Sequence, residues 1–225
     1  GYGAYGFSLG ANYSEKNAFG TGNSVSVGIN YSEWRQDLSF DFFDPYFTID
    51  GIGLGYGAYL RKTDYGNFNI AAYNTDSYGG SVRFQLPISE IESLSLSLAL
   101  DNTQLATNFY SSRQLQDFYN SEGSEFTTYS ASVSWARFSL DRGLFPTNGS
   151  SNTISLSLTL PGSNLNYGRF THEFKIFRPL PQRLIFGYRS RIGILFAYED
   201  TETAPPYQHF YAGGMRSVRG FRQNY

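Results

Sequence analysis

The chain of 225 residues contains no cysteine, one methionine and only two histidines. The lack of cysteine excludes disulfide bonds, thiolate metal sites and a cysteine nucleophile. Long apolar runs are also missing, and no stretch approaches the roughly 18 apolar residues that a membrane-spanning helix needs. The first ten residues show no charged segment followed by an apolar one, so we expect a mature chain or a fragment. If this chain crosses a membrane, it must do so with strands.

Neither the charge nor the histidines indicate an enzyme or a nucleic-acid-binding protein. The net charge is −2, which gives no basic field for nucleic acid. His172 lies between Phe170 and Phe174 on an apolar face, and His209 follows two prolines in a loop, so neither is placed for a Ser-His-Asp site. Residues 1–6 fit G-x-G-x-x-G, but a strand pattern follows where a nucleotide site needs a helix. We therefore expect no catalytic residue, no metal and no cofactor.

The residues that are abundant are glycine (24) and the aromatics, which make up 18% of the chain. Along most of the sequence, apolar residues alternate with glycine, serine or charged residues, and this period of two predicts strands. The pattern is clear in one segment, where leucines alternate with serines: Leu94, Leu96 and Leu98 against Ser93, Ser95 and Ser97. The alternation predicts about ten strands separated by turn residues.

The two faces of these strands differ in a way that favours a membrane barrel over a soluble sandwich. The apolar residues keep one phase, whereas the opposite phase suits a wet lumen and includes five cations: Arg61, Arg83, Lys175, Arg189 and Arg191. Arg189 and Arg191 lie about 7 Å apart on one strand. They could bind an anion or pair with carboxylates of an inserted loop. Asp37 and Asp41 share the lumen phase and are expected to be solvated.

The predicted connections fall into two sets. Residues 102–124 and the segment after Tyr198 are long polar loops on one side, and the connections on the other side are short: Asp44–Asp50, Pro87–Glu92, Leu140–Ser150 and Pro179–Pro181. Arg61–Ala71 is predicted as a loop, and a bulge near Ala136–Arg137 would explain a change of phase there. Short turns on one side and long loops on the other are typical of outer-membrane proteins. The predicted fold class is all-β, a transmembrane antiparallel β-barrel.

The last sixteen residues, Phe210–Tyr225, carry a glycine-rich loop with three regularly spaced arginines: Arg216, Arg219 and Arg222. Taken alone, this segment is either a basic loop for an anionic partner or a solvated loop. Because the segment follows a long series of predicted strands, we interpret it as an arginine-bearing loop at the end of a barrel-like chain.

Four motifs together resemble the barrel part of the BamA family of outer-membrane assembly factors. They are Val218-Arg219-Gly220-Phe221; the connection with Asp141, Arg142, Gly143, Phe145 and Pro146; Pro161-Gly162-Ser163; and Asp44-Pro45-Tyr46-Phe47-Thr48. The first two are typical of the wider superfamily, which includes TamA and the two-partner-secretion transporters. The last one points more narrowly to the BamA family.

This resemblance implies a barrel of about sixteen strands behind periplasmic POTRA domains, in the outer membrane of a Gram-negative bacterium. Residues 1–225 would be its N-terminal part, ending within the family's inward-folded extracellular loop at about residues 199–225. Arg219 would reach into the lumen. Gly1, Tyr2 and Gly3 would be the last piece of the first strand, at a lateral seam.

The function that the resemblance implies is folding and insertion of other β-barrel proteins, without enzymatic activity. The implied partners are outer-membrane lipid, unfolded outer-membrane proteins and accessory lipoproteins that bind the periplasmic part. A polypeptide-secreting pore of the same superfamily, an outer-membrane hydrolase and a purely structural barrel stay open as alternatives.

Overall fold

A computed structural model describes residues 2–3, 6–64, 73–107 and 113–210. These residues form one antiparallel sheet of eleven strands in sequential order. The strands are β1 Tyr2–Gly3, β2 Gly6–Glu15, β3 Ser24–Ser32, β4 Arg35–Asp44, β5 Gly53–Asp64, β6 Tyr73–Ser89, β7 Glu92–Thr107, β8 Glu125–Phe138, β9 Gly149–Thr159, β10 Tyr167–Pro179 and β11 Ile185–Ala197. Within the described residues β1 and β11 do not pair with each other, so the sheet is not closed.

The period-two pattern places one set of side chains on each face of this sheet. On β7, Leu96, Leu98 and Leu100 are exposed on the outer face, Leu98 by 57%. Ser97 lies on the opposite face, where its hydroxyl is 2.6 Å from that of Ser132 on β8. An exposed apolar face opposite a hydrogen-bonded polar face confirms the all-β barrel prediction.

The connections alternate between two ends of the sheet. Of the described connections, the short-turn end holds residues 16–23, 45–52, 90–91, 139–148 and 180–184, and the long-loop end holds residues 33–34, 113–124, 160–166 and 198–210. The sides agree with the two sets of connections that the sequence predicts, but the lengths overlap, since the connection at 139–148 has ten residues and the one at 33–34 at the opposite end has two. In the described part of the chain, no helix is long and apolar enough to span a membrane.

Three local predictions are wrong. The predicted loop at Arg61–Ala71 begins later, because β5 continues to Asp64 in register with β6. The predicted long loop at residues 102–124 is shorter, since β7 continues to Thr107 and a helix, α1 Arg113–Glu122, occupies much of the rest. Polar lumen and rim residues extend these strands beyond their apolar bands, and apolar alternation alone cannot detect that.

The third correction concerns the bulge near Ala136–Arg137. The pairing of β8 with β7 runs without a shift from Glu125 to Arg137. Arg137 takes the outer phase itself, and its Nε lies 3.5 Å from Glu92 Oε1 on β7. A charged residue at the strand end therefore replaces the expected apolar one, and the backbone stays regular. In the described strands, a register irregularity lies instead between Pro87 and Ser89 of β6.

Buried apolar residues gather at the long-loop end, on the lumen side of the sheet. They are Tyr73, Leu105, Leu115, Phe118, Phe126 and Leu165, with Tyr119, Tyr167 and Tyr207 packed against them. Leu115 and Phe118 come from α1, so the helix covers part of this end of the barrel. The core of the molecule is thus a cap under the loops, because the outer face of the sheet has no protein neighbour among the described residues.

Candidate functional site

The chain after β11 turns back onto the lumen side of the sheet. We call residues 198–210 the inward segment. The Tyr198 hydroxyl donates to the backbone carbonyl of Thr159 at the end of β9. The Thr201 hydroxyl accepts a hydrogen bond of 2.7 Å from the Asn166 N–H. Pro205 is fully buried. These contacts fix the inward segment against β9 and β10 at the long-loop end.

Tyr207 anchors the middle of the inward segment in the apolar cap. Its ring centroid lies 6.4 Å from that of Phe126 on β8, and Phe126 lies 5.6 Å from Phe118 of α1. Burial raises the pKa of the Tyr207 phenol, because an apolar site disfavours the charged phenolate. The inward segment and α1 therefore share Phe126 as a common neighbour.

The end of the inward segment contacts a lumen-facing arginine. The Arg169 guanidinium on β10 lies over the Phe210 ring, 4.6 Å from its centroid. One Arg169 nitrogen, Nη1, donates to Gln208 Oε1 at 3.2 Å. The Phe210 ring also lies close to Gly193 on β11. Phe210 directly precedes residues 211–225, which contain Val218, Arg219, Gly220 and Phe221. That predicted motif lies outside the described residues.

A second group of charges lies in the lumen on β4, β5 and β7. Asp37 Oδ1 accepts from Arg61 Nε at 2.7 Å and from Arg35 Nη2 at 3.1 Å. The Arg61 guanidinium lies 5.0 Å from the ring centroid of Tyr59, whose hydroxyl donates to Asp101. The prediction of a solvated Asp37 is therefore wrong, because cross-strand pairing brings Arg61 of β5 to its carboxylate and Arg35 approaches it along the same strand, β4.

Arg189 and Arg191 face a carboxylate on the neighbouring strand. Glu173 of β10 lies 2.7 Å from Arg191 Nε and 3.9 Å from Arg189 Nη2. The Lys175 ammonium is also 3.9 Å from Glu173. The Glu173 carboxylate thus lies within ion-pair distance of three cations. All four side chains are partly exposed, so each pair contributes little stability by itself.

The predicted family turn lies at the short-turn end and is organised by Asp141. Its carboxylate accepts from the Thr147 N–H at 2.9 Å, the Asn148 N–H at 3.2 Å and the Thr147 hydroxyl. Arg142 donates to Thr147 Oγ1 at 3.2 Å. Gly143 and Pro146 lie in the same turn, and Phe145 adopts a φ of 52° with an exposed side chain. The structure thus brings the polar residues of the motif together, far from the inward segment.

The predicted seam residues form a short strand. Tyr2 and Gly3 pair with Phe7 and Gly6 of β2, and Gly1 lies outside the described residues. Of the two histidines, His172 lies among the outward residues of β10 with Nε2 at 2.9 Å from Asn152 Oδ1. His209 is exposed in the inward segment, where Nε2 is 3.2 Å from the Ala204 carbonyl oxygen. Among the residues that the structure describes, these partners are an amide oxygen and a backbone carbonyl, neither of which is the nucleophile or carboxylate of a triad.

Sequence reasoning missed α1, Tyr207 and the role of Arg169. A signal for the helix existed, since Leu115, Phe118 and Tyr119 have the i, i+3, i+4 spacing of one helical face. Arg169 gave no such signal. Its partners Gln208 and Phe210 are 39 and 41 positions away in the chain, and only the return of the inward segment brings them near.

An apolar outer face, a polar lumen and one sheet of sequentially paired antiparallel strands define a transmembrane barrel of the outer-membrane type. The Omp85 superfamily domain matches residues 17–225. The chain belongs to the Omp85 superfamily, and its localisation is the outer membrane of a Gram-negative bacterium.

Similar proteins include assembly factors from two bacteria. The chain is 31% identical to outer membrane protein assembly factor BamA of Neisseria meningitidis serogroup B over 96% of its length, and 24% identical to BamA of Nitratidesulfovibrio vulgaris over 96%. It covers 28% and 26% of those proteins. A SAM50-like protein of Drosophila melanogaster is 24% identical over 92% of the chain, which covers 47% of that protein.

Solved structures confirm the architecture. BamA from Haemophilus ducreyi lacking POTRA domains 1-3 matches 99% of the chain with a TM-score of 0.89 and 28% identity, and 44% of that protein is covered. CdiB from Acinetobacter baumannii matches 95% of the chain with a TM-score of 0.52 and 15% identity, with 39% of that protein covered. At that identity the likeness to CdiB concerns the fold alone.

Proposed function

We propose that this chain is the N-terminal barrel part of an insertase that folds β-barrel proteins and inserts them into the outer membrane. The observation that carries the proposal is similarity to BamA over nearly the whole chain, with 31% identity over 96% of the sequence. A TM-score of 0.89 to a BamA structure supports the same assignment. No catalytic group is needed, because insertion exchanges backbone hydrogen bonds without breaking covalent bonds.

The mechanism we infer is templating at a weak seam beside β1. In lipid, each unpaired N–H or C=O group costs several kcal/mol, so an open strand edge strongly favours pairing with another strand. An incoming strand can satisfy that edge by β-augmentation. Tyr2 and Gly3 lie at the first edge of the sheet, paired on one side with β2. A glycine-rich first strand would pair weakly and open readily.

The remaining parts of the proposal follow from the BamA similarity. Residues 211–225 would continue the inward segment as the family's inward-folded extracellular loop. POTRA domains would precede residue 1 on the short-turn end. The partners would be outer-membrane lipid, unfolded outer-membrane proteins and accessory lipoproteins that bind the periplasmic part.

The proposal is tested by reconstituting the full-length protein in liposomes and following the folding of an added, urea-unfolded outer-membrane protein. The folded substrate is recognised by its heat-dependent mobility in electrophoresis. We expect faster folding than in empty liposomes. An equal folding rate in both would contradict the insertase assignment.

The seam is tested with a cysteine pair that joins Gly3 to the closing strand of the full-length protein. Residues 1–225 contain no cysteine, so no native thiol of this segment competes with the introduced pair. We expect oxidation to stop insertion and reduction to restore it. The matched control joins β2 to β3 through Ala11→Cys and Ile29→Cys, which are paired in register. Full insertion activity of the oxidised seam variant would contradict the seam mechanism without contradicting the insertase function.

The alternative from the sequence is a polypeptide-secreting pore. The likeness to CdiB does not favour it, because that likeness concerns the fold alone. A pore would conduct ions in planar bilayers and export one dedicated substrate without accelerating the folding of several different barrels. The liposome measurement therefore separates the two functions.

A further inference from the structure

The Phe210 ring lies close to two lumen-facing residues from adjacent strands, Arg169 and Gly193. The Arg169 guanidinium of β10 lies 4.6 Å from the ring centroid. A Cβ atom on Gly193 of β11 would lie 2.6 to 2.8 Å from three atoms of the same ring. A glycine is therefore needed at position 193 for the ring to lie flat against β11, since real Cβ contacts are longer than this.

Arg169 holds the inward segment in two ways at once. Its face is attracted to the negative face of the Phe210 ring, and its Nη1 donates to Gln208 Oε1. Arg169 Nε is buried and has no hydrogen-bond partner within the described part of the chain. The orientation that places the guanidinium over Phe210 and against Gln208 therefore leaves this one donor unsatisfied.

The residues that Phe210 contacts are otherwise unexplained by the fold. The lumen face consists mainly of serine, glycine and charged residues, and pairing among these residues does not require an arginine beside an aromatic ring. The neighbouring lumen-facing cations on β10 and β11 pair with the Glu173 carboxylate. Gly193 also lies opposite Thr171 in regular pairing, with no turn or positive φ that would require glycine.

We propose that Arg169, Phe210 and Gly193 form a latch that holds the inward segment in the lumen. Arg169 is a positioning residue: it fixes the point from which the chain continues into residues 211–225. The latch is independent of the proposed insertase function, because it concerns only how the inward segment is retained in the barrel.

The test is hydrogen–deuterium exchange of the full-length protein in lipid nanodiscs, read on a peptide covering residues 198–210. Two amides report directly, since the Gln208 N–H donates to Pro205 and the His209 N–H donates to Pro206. We expect Arg169→Met and Phe210→Leu each to speed exchange by about 5-fold, the size of a single cation–π contact to a partly exposed ring. Phe210→Tyr keeps the aromatic face and should stay within about 2-fold of the native rate.

A double-mutant comparison tests whether the effect of a substitution at Gly193 depends on the Phe210 ring. Gly193→Ala should speed exchange in the native background and have no further effect in a Phe210→Ala background, because the clash needs the ring. The matched control is Gly187→Ala on the same strand, where a Cβ would meet Phe177 at 3.1 Å and not Phe210. Heat-dependent mobility in electrophoresis shows that each variant is folded.

Three results would each overturn the latch. They are native exchange rates in both Arg169→Met and Phe210→Leu, equal effects of Phe210→Leu and Phe210→Tyr, and equal acceleration by Gly187→Ala and Gly193→Ala. If Gly193→Ala fails to fold, the Arg169 and Phe210 variants decide the question alone.

Discussion

Single residues have clear physical roles in the Asp141 turn, where glycines differ in what they permit. Gly149 has a φ of 101°, and a Cβ there would collide with the Ser139 carbonyl oxygen. Gly143 is in the same turn, and nothing lies within 4 Å of the position of its missing Cβ. The backbone conformation and the nearby carbonyl require a glycine at position 149, whereas position 143 has room for a side chain.

We therefore predict that Gly149→Ala destabilises the barrel by about 1–3 kcal/mol, the usual cost of a strained backbone position. Gly143→Ala is the matched control and should change stability by about 0.5 kcal/mol or less. The measurement is urea unfolding in liposomes, followed by the fluorescence of Trp34 and Trp135. Equal midpoints for the two variants would contradict this explanation of Gly149.

Asp141 makes the stability of the same turn depend on pH. The Thr147 hydroxyl and two backbone N–H groups hold the pKa of the Asp141 carboxyl below its usual range. Because the pKa is lower in the folded state than in the unfolded state, the carboxylate stabilises the turn fully above about pH 4. That stabilisation is lost as the pH falls toward the folded-state pKa.

We predict that Asp141→Asn lowers the urea midpoint at about pH 7, and that its difference from the native protein shrinks below about pH 4. Thr147→Val removes the hydroxyl donor and should weaken the same pH dependence. The midpoints are measured by tryptophan fluorescence across this pH range. A difference that stays constant with pH would show that Asp141 acts through shape and not through its charge.

At the scale of elements, α1 and the inward segment are joined through one side chain of β8. Phe126 is 1% exposed and contacts both Phe118 of α1 and Tyr207 of the inward segment. Removing a buried phenylalanine ring costs about 3–5 kcal/mol. The loss of stability should affect every element that packs against the ring. We therefore expect α1 and the inward segment to be destabilised together.

We predict that Phe126→Ala speeds hydrogen–deuterium exchange in both residues 113–122 and residues 198–210 of the full-length protein. Phe118→Ala should act mainly on the helix, because Phe118 is not in the pair with Tyr207. Asn120→Ala, on an exposed position of α1, is the control. If Phe126→Ala affected only one of the two elements, they would not be coupled through this residue.

For the whole molecule, the two faces of the sheet differ in composition and in the surrounding medium, which is lipid outside and water in the lumen. Leu98 is 57% exposed on the outer face near the middle of β7, where the surrounding medium is lipid. Ser95, on the same strand, faces the lumen beside Ser134. An arginine placed at the midplane on the lipid side of a barrel costs about 2–4 kcal/mol, whereas lumen positions accept charge.

We predict that Leu98→Arg lowers the stability of the full-length barrel by about 2–4 kcal/mol and that Ser95→Arg costs clearly less. Both variants add the same charge to the same strand, so their difference reports the orientation of the sheet. Urea unfolding in liposomes measures it. A larger loss for Ser95→Arg would reverse the assignment of the two faces.

The sequence alone determined the strands, their outward face, the two ends of the barrel and the family. It could do so because alternation depends on neighbours two positions apart, and because motifs such as residues 44–48 are local. Only the tertiary structure decided that Arg61 pairs with Asp37, that α1 packs into the cap, and that Arg169 reaches Phe210. These contacts join residues that are distant in the chain, so they exist only after the strands have paired and the inward segment has returned to the lumen.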